Sequence, residues 1–420
     1  MEEAGEGEVL VSPCVCRGSA KYVHLECVQA AFKARGNWLD LACPTCKRNY
    51  DGITAVHLGK LALEKLKQQF GEKHSIIASG LHNLGIAYGL VGDAEQERDL
   101  LEEVLRIQEE EHGPEHANVA VTLVNLGNAY SRLGDLQRQK DMLERAQRIN
   151  EREYGPKHLQ VAIALVNLGS VYGMLGEPVQ QRDILERALA ILEAELGPSH
   201  RHVAPTLVNL SIAYGALRQG ERQRDLLERA LRINEKEYGP DHRCVATTLV
   251  NLGNAYGRLG DAVSQRDILQ RALRIKQREY GPEHVEVAKA LVILGTAHGD
   301  LGEAERSREL LQQALSIQER HYGSDHREVL SALGGLGVAY GRLGDHERKR
   351  DLLERMLCIM EREFGPEHCN VVATLVELAQ TYGDLGEVDR QHELLERSRS
   401  LEERGALERF YSGAGAGAGA

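Results

Sequence analysis

The sequence predicts an all-α fold, a right-handed superhelical solenoid of eight helix pairs, preceded by a small zinc-finger module. Two observations support this prediction. A four-residue link that starts with Gly and ends with His recurs every 42 residues between residues 71 and 368, and a fixed period of this length is typical of solenoids. In addition, six Cys and His residues fall before residue 47, a density that indicates a metal site.

Each 42-residue unit is predicted to form two helices. Residues 242–260 carry apolar residues three and four positions apart and end at Gly260. Residues 263–281 repeat this pattern and end at Gly281, which a proline follows. Neither helix can bury its apolar stripe alone, so neighbouring units are expected to stack.

Four segments follow from these patterns. Residues 1–50 are the expected zinc module, and residues 51–70 align with the second helix of a unit and are expected to form a connecting and capping helix. The eight units occupy residues 71–406. Residues 407–420 end in alternating Gly and Ala, which predicts a disordered tail.

Composition excludes several classes of function. The net charge of −12 and the isoelectric point near 5.8 argue against binding to nucleic acid or to an anionic membrane. No run of 18 apolar residues occurs, and the N-terminal segment is acidic. We therefore expect a cytoplasmic or nuclear protein whose cysteines are metal ligands or buried thiols.

The repeated strings resemble a known family. "LVNLGNAYGRLGD" and "LERALRI" are similar to the tetratricopeptide repeat, and the 42-residue spacing is similar to that of kinesin light chains. The resemblance implies close helix contacts at small residues: Gly127, Gly169, Gly253, Ala146, Ala188 and Ala272. This chain departs from the short repeat by having Gln early in the second helix: Gln139, Gln181, Gln223 and Gln265.

The same resemblance implies that the first helix of each unit lines a groove for client proteins or peptides. Carboxamides, which can bond to any peptide backbone, recur on these helices: Asn83, Asn125, Asn128, Asn167, Asn209, Asn251 and Asn254. Alternatively, these residues are inherited repeat consensus without a ligand. The His residue of each link is predicted to act at a helix start, and no catalytic residue is predicted in the repeats.

The N-terminal ligands are spaced as in a zinc finger. Cys-x-Cys, His-x-x-Cys and Cys-x-x-Cys pairs lie within 33 residues, and paired ligands can reach one ion from a tight turn. "PCVCRGSAKYVHLEC" and "CPTCKRNY" resemble the RING-CH finger of ubiquitin ligases. The resemblance implies one complete zinc site and half of a second, formed by Cys14, Cys16, Cys43 and Cys46, and by His24 and Cys27.

The first Cys pair of that family has no counterpart before Cys14. Three explanations are open: the reading frame starts too late, the finger has decayed to a single zinc, or a partner supplies the missing ligands. The resemblance also implies a surface for a ubiquitin-conjugating enzyme, with candidates Phe32, Trp38 and Pro44. The family's usual Trp shortly after the sixth ligand is not in place.

Three functions fit the sequence. An interaction scaffold that grips a client and recruits a conjugating enzyme would be a soluble RING-type ubiquitin ligase, and its activity would depend on zinc. A non-catalytic scaffold with a degenerate finger would still bind its clients after the finger is removed. A kinesin-light-chain-like cargo adaptor is third, because the coiled coil of that family has no counterpart here.

Overall fold

The computed structural model of the chain describes residues 10–11, 23–50, 52–72 and 74–414, apart from the side chains of residues 10, 369 and 404–414. These residues form eighteen α-helices, two strands of two residues each and one 3-10 helix. The chain divides into two compact units, with the boundary between Ala213 and Tyr214. The predicted all-α fold is confirmed.

The first unit begins with two short paired strands and continues as helices. In β1 and β2, Leu10 lies opposite His24 and Val11 opposite Val23, in antiparallel register. The elements are β1 (Leu10–Val11), β2 (Val23–His24), α1 (Leu25–Arg35), α2 (Gly52–Phe70), α3 (Ile76–Val91), α4 (Ala94–His112), α5 (Ala117–Arg132), α6 (Leu136–Tyr154), α7 (Leu159–Met174), α8 (Pro178–Leu196) and most of α9 (Val203–Ala216).

The second unit holds the end of α9 and the remaining helices. These are α10 (Gly220–Tyr238), α11 (Arg243–Arg258), α12 (Ala262–Tyr280), α13 (Val285–Asp300), α14 (Ala304–Tyr322), α15 (Leu330–Arg342), α16 (His346–Phe364), α17 (Cys369–Asp384) and α18 (Val388–Ala414). A 3-10 helix at Arg327–Val329 precedes α15.

The helices from α3 to α18 follow the predicted 42-residue period, with two helices in each of eight successive repeats. Helix α18 runs to Ala414 and so extends into the segment expected to be a disordered tail. Residues 415–420 lie outside the described residues. The boundary of the tail therefore stays a prediction.

Caps define the ends of the helices, as in the second pair. The Nδ1 atom of His116 accepts a hydrogen bond of 3.2 Å from the backbone N–H of Asn118, at the start of α5. Gly134, with φ of 78°, makes the turn after α5. Equivalent His bonds occur at the other links: His74, His158, His200, His242, His284, His326 and His368. The predicted role of these His residues at helix starts is confirmed.

Glycines let the two helices of a pair approach closely. A Cβ atom at Gly169 would lie 2.6 Å from Leu185, so no larger residue fits without a shift. Three of the unusual Gln residues lie against a glycine of the first helix, where a Cβ atom would come within 2.5–2.8 Å of the Gln side chain: Gln181 at Gly173, Gln223 at Gly215 and Gln265 at Gly257. In these three pairs the glycine provides the space that the longer side chain needs.

Polar bonds join successive pairs within each unit. The hydroxyl of Tyr130 donates to Glu102 at 2.5 Å, and that of Tyr256 donates to Glu228 at 2.9 Å. Burial and the bond to Glu102 raise the pKa of Tyr130. Ion pairs also link second helices: Arg145–Glu109, Arg187–Glu151, Arg271–Glu235, Arg355–Glu319 and Arg397–Glu361.

Candidate functional site

The Cys-x-x-Cys motif after α1, formed by Cys43 and Cys46, lies in a tight hairpin. The backbone N–H of Cys43 donates to the carbonyl of Arg48 at 2.8 Å, and the N–H of Lys47 donates to the carbonyl of Cys43 at 2.9 Å. Lys47 has φ of 58°, a left-handed conformation that is uncommon outside glycine. Such a turn allows the thiolates of Cys43 and Cys46 to reach one ion.

The other predicted ligands are only partly placed. Cys14 and Cys16 lie outside the described residues. His24 ends β2, and Cys27 lies exposed in the first turn of α1. Within the described part of the chain, no three His, Cys, Asp or Glu side chains converge as a metal site. The six-ligand set therefore stays a prediction.

The donor chemistry of the hairpin nevertheless fits zinc. Cys43 is 6% exposed and Cys46 is half-buried, and both are soft thiol donors of the kind that selects zinc over hard cations. Two such residues supply half of a tetrahedral structural site. A second thiol pair, as predicted for Cys14 and Cys16, would complete it.

The residues predicted to contact a conjugating enzyme occupy different environments. Phe32 is only 1% exposed and belongs to the hydrophobic core, so its assignment to a partner surface is corrected. The ring of Trp38 is half-buried and meets Phe32 edge-on, with 5.6 Å between ring centroids. Pro44 is exposed at the hairpin. Of the three candidates, Pro44 alone is fully available at the surface.

The predicted Asn ladder lies on the first helices, with every member half-buried. Three of these side chains in the first unit bond to neighbours. Asn83 Nδ2 donates to the carbonyl of Leu39 at 3.2 Å, and Asn209 Nδ2 donates to Ser170 Oγ at 3.2 Å. Asn125 Nδ2 lies 2.8 Å from His82 Nε2. Burial lowers the pKa of His82, which favours a neutral ring that accepts this bond.

Two carboxamides of the first unit remain available. The side chains of Asn128 and Asn167 make no hydrogen bond to any residue in the described ranges. Exposed apolar side chains, which were not predicted from the sequence, lie one or two turns from the Asn residues on the same helix faces: Ile86, Leu90, Val121, Ile163, Met174 and Ile212. We call Asn128, Asn167 and these apolar residues the groove face. Its apolar members could have been found from their 42-residue spacing, as Val121 and Ile163 show.

One charged pair lies at the edge of the groove face. The Glu97 side chain is 3% exposed and is paired with Arg132, whose side chain is 41% exposed. Burial raises the pKa of Glu97, and the bond to Arg132 opposes that effect. The Arg132 guanidinium passes over Gly89, where a Cβ atom would lie 2.8 Å from it. The Glu97–Arg132 pair therefore requires a residue without a side chain at position 89.

The second unit carries the last two Asn residues and then a different surface. Asn251 and Asn254 on α11 are half-buried and make no side-chain hydrogen bond within the described residues. On the following first helices, the positions equivalent to Asn251 hold Ile293, Gly335 and Glu377. Glu377 is paired with Lys349 at 3.4 Å. The carboxamide pattern therefore ends at α11.

Comparison with protein families identifies both parts of the chain. Two family models described as Tetratricopeptide repeat together match residues 77–357. A model described as RING-variant domain matches residues 1–46. The chain is a tetratricopeptide repeat protein with a RING-variant domain. It is accordingly a protein-interaction scaffold, and its RING-variant domain belongs to a zinc-binding class.

Solved structures share the repeat architecture of this tetratricopeptide protein. The apo quorum sensor NprR from B. thuringiensis is 14% identical, with a TM-score of 0.63, over 90% of this chain and 99% of that one. A Rap protein complexed with Competence and Sporulation Factor is 12% identical, with a TM-score of 0.55, over 91% and 99%. A putative kinesin light chain of Podosopora anserina is 24% identical, with a TM-score of 0.44, over 50% and 98%. The first two similarities concern the fold alone.

No curated protein sequence matches this tetratricopeptide protein. Within the described residues, no helix has the length and apolar character needed to cross a lipid bilayer.

Proposed function

We propose that this protein binds an extended segment of a client protein along the groove face of its first unit. The observation that carries the proposal is the pairing of free carboxamides with exposed apolar side chains. Asn167 is half-buried without a hydrogen-bond partner in the described chain, and Ile163, one turn earlier on α7, is 42% exposed. An extended peptide can use both, because its backbone bonds to amides and its side chains cover apolar residues.

Substitutions on α7 test this proposal. Peptides are first selected from a random display library against the full chain, and their affinities are then measured by calorimetry. We expect Ile163→Asp to weaken binding by at least about tenfold, because the change places a charge against apolar ligand atoms. Asn167→Ala should weaken binding by about fivefold through loss of a backbone hydrogen bond.

Helix α8 supplies the control for this experiment. Val179 is 45% exposed on a second helix, close to the exposed fraction of Ile163. Val179→Asp should leave the affinity unchanged. Selected peptides that bind wild type and Ile163→Asp equally would contradict the groove assignment.

We further propose that Cys14, Cys16, Cys43 and Cys46 hold one zinc ion, and that His24 and Cys27 belong to an incomplete second site. The hairpin at Cys43 and Cys46 supports the first assignment. When bound, zinc would cross-link the module and supply no reactive group. The backbone hydrogen bonds of the hairpin hold the thiols of Cys43 and Cys46 on one tight turn.

A second candidate function is recruitment of a ubiquitin-conjugating enzyme by the zinc module. The RING-variant match and the exposed Pro44 favour it. Such recruitment acts by proximity. It predicts that the full chain accelerates ubiquitin discharge from a conjugating enzyme, that Pro44→Ala reduces this acceleration by about tenfold or more, and that Asn167→Ala preserves it. No acceleration by the zinc-loaded chain across a panel of conjugating enzymes would rule out this function.

A further inference from the structure

The zinc module and the start of the repeat array share one hydrophobic core. Phe32 of α1, Cys43 of the hairpin, Leu58 of α2 and Leu84 of α3 belong to the same buried cluster. Cys46 packs against this cluster as a half-buried residue. The predicted ligand pair is therefore part of the packing of α2 and α3 and not an isolated surface turn.

The segment between α1 and the hairpin makes a second connection. Trp38 and Leu39 also pack against a neighbouring cluster that contains Leu66 of α2 and Ile77 of α3. The carbonyl of Leu39 accepts the hydrogen bond from Asn83, a residue of the first repeat. Arg35 Nη1 donates to the carbonyl of Ala42 at 2.8 Å and braces the same segment against α1.

These contacts meet a physical need of the array. The terminal helix of a solenoid has a stacking neighbour on one side only, so its other side must be covered or made polar. Helix α2 has exposed fractions of 3% or less at Ala55, Val56, Leu58 and Ala62. The first cluster shows that residues of the zinc module complete this burial.

We propose that the zinc module is the N-terminal cap of the repeat array, and that metal bound at Cys43 and Cys46 holds α2 and α3 in place. This inference rests on the zinc site proposed above. Because a structural metal site forms only in the folded state, its binding stabilises whatever folds with it. In this chain, metal binding would stabilise the first repeat. It would also stabilise the position of Asn83, the first member of the Asn ladder, because Asn83 bonds to the carbonyl of Leu39.

Hydrogen exchange on the full-length protein tests this inference. Bound zinc is first counted by elemental analysis, then removed with a chelator, and amide exchange is followed by mass spectrometry. Amides of α2 and α3 should exchange about tenfold faster or more after zinc removal, whereas those of α11 and α12 should not change. Added Zn²⁺ should restore the slow rates.

Two cysteine variants provide a matched comparison. Cys46 and Cys244 are both half-buried, and Cys244 belongs to α11 of the second unit. Cys46→Ser should reproduce the fast exchange of α2 and α3, and Cys244→Ser should not. Zinc that is bound and then lost without faster exchange of α2 and α3 would overturn the cap alone. A chain that binds no Zn²⁺ would overturn both the site and the cap.

Discussion

Replacing Phe32 with alanine is expected to lower the free energy of unfolding of the N-terminal part of the first unit by about 3–5 kcal/mol. The ring is 1% exposed, lies in the core shared with α2 and α3, and is among the largest fully buried side chains. Its removal leaves a cavity between elements that are fixed by several other contacts. Trp38, the only tryptophan of the chain, lies 5.6 Å from this ring, so urea unfolding followed by its fluorescence measures the effect locally.

Phe70 provides the control for this substitution. It ends α2, is 40% exposed and contacts the ring of His74 at a tilt of 42°, with 5.1 Å between ring centroids. Phe70→Ala should cost about 1 kcal/mol or less, because little apolar surface is returned to water. If both variants lost the same stability, Phe32 would not be the core residue that the structure describes.

The second large effect is expected at Arg132. Replacing Arg132 with Met leaves the buried carboxylate of Glu97 without its partner, which should cost about 2–3 kcal/mol near neutral pH. The exposed part of the Arg132 side chain, 41%, places the cost at the lower end of the range for buried pairs. Hydrogen exchange of α4 and α5 measures the loss.

The pH dependence of this variant has a defined sign. Burial already raises the pKa of Glu97 above its ordinary value of 4.5, and loss of Arg132 removes the effect that opposes burial. The folded state then binds the Glu97 proton more tightly than the unfolded state does, so stability falls as pH rises. The deficit of Arg132→Met should therefore be present at neutral pH and shrink as pH falls towards 4.5.

The next repeat shows an uncharged pair of residues at the positions of Glu97 and Arg132. The next repeat has Gln139 and Met174 at the positions of Glu97 and Arg132. The double variant Glu97→Gln/Arg132→Met should recover most of the lost stability, because it removes the buried charge. A deficit of the double variant equal to that of Arg132→Met would exclude this explanation.

Arg258 is the matched control. Its Nη1 donates to Gln223 Oε1 at 3.0 Å, so its partner is neutral. Arg258→Met should cost about 1 kcal/mol, the usual value for one neutral hydrogen bond, and should show no loss that disappears at low pH.

The repeat architecture could be read from the sequence because its cause is local. The link glycines, the His caps and the apolar spacing recur every 42 residues and specify each helix pair independently of the rest of the chain. The compensation of Gln181 by Gly173 was missed because it requires knowing which residues of two helices face each other. The same holds for Gln265 and Gly257.

The candidate site was less predictable because the availability of its residues depends on contacts with residues that are distant in the sequence. Asn83 and Asn167 look alike in sequence, but a carbonyl of the zinc module takes the amide of Asn83. Phe32 and Pro44 both fit a partner surface in the sequence, and only packing against α2 shows that Phe32 is interior. A single sequence does not record such contacts between modules.

The bonds between successive repeats also bear on how the chain folds. Tyr130 and Glu102 are 28 residues apart, and Arg187 and Glu151 are 36 apart. Each such bond closes a loop no longer than one repeat, so the entropy of loop closure does not grow as repeats are added. The relative contact order is accordingly low for a chain of 420 residues, and folding can start at any well-formed pair and spread to its neighbours.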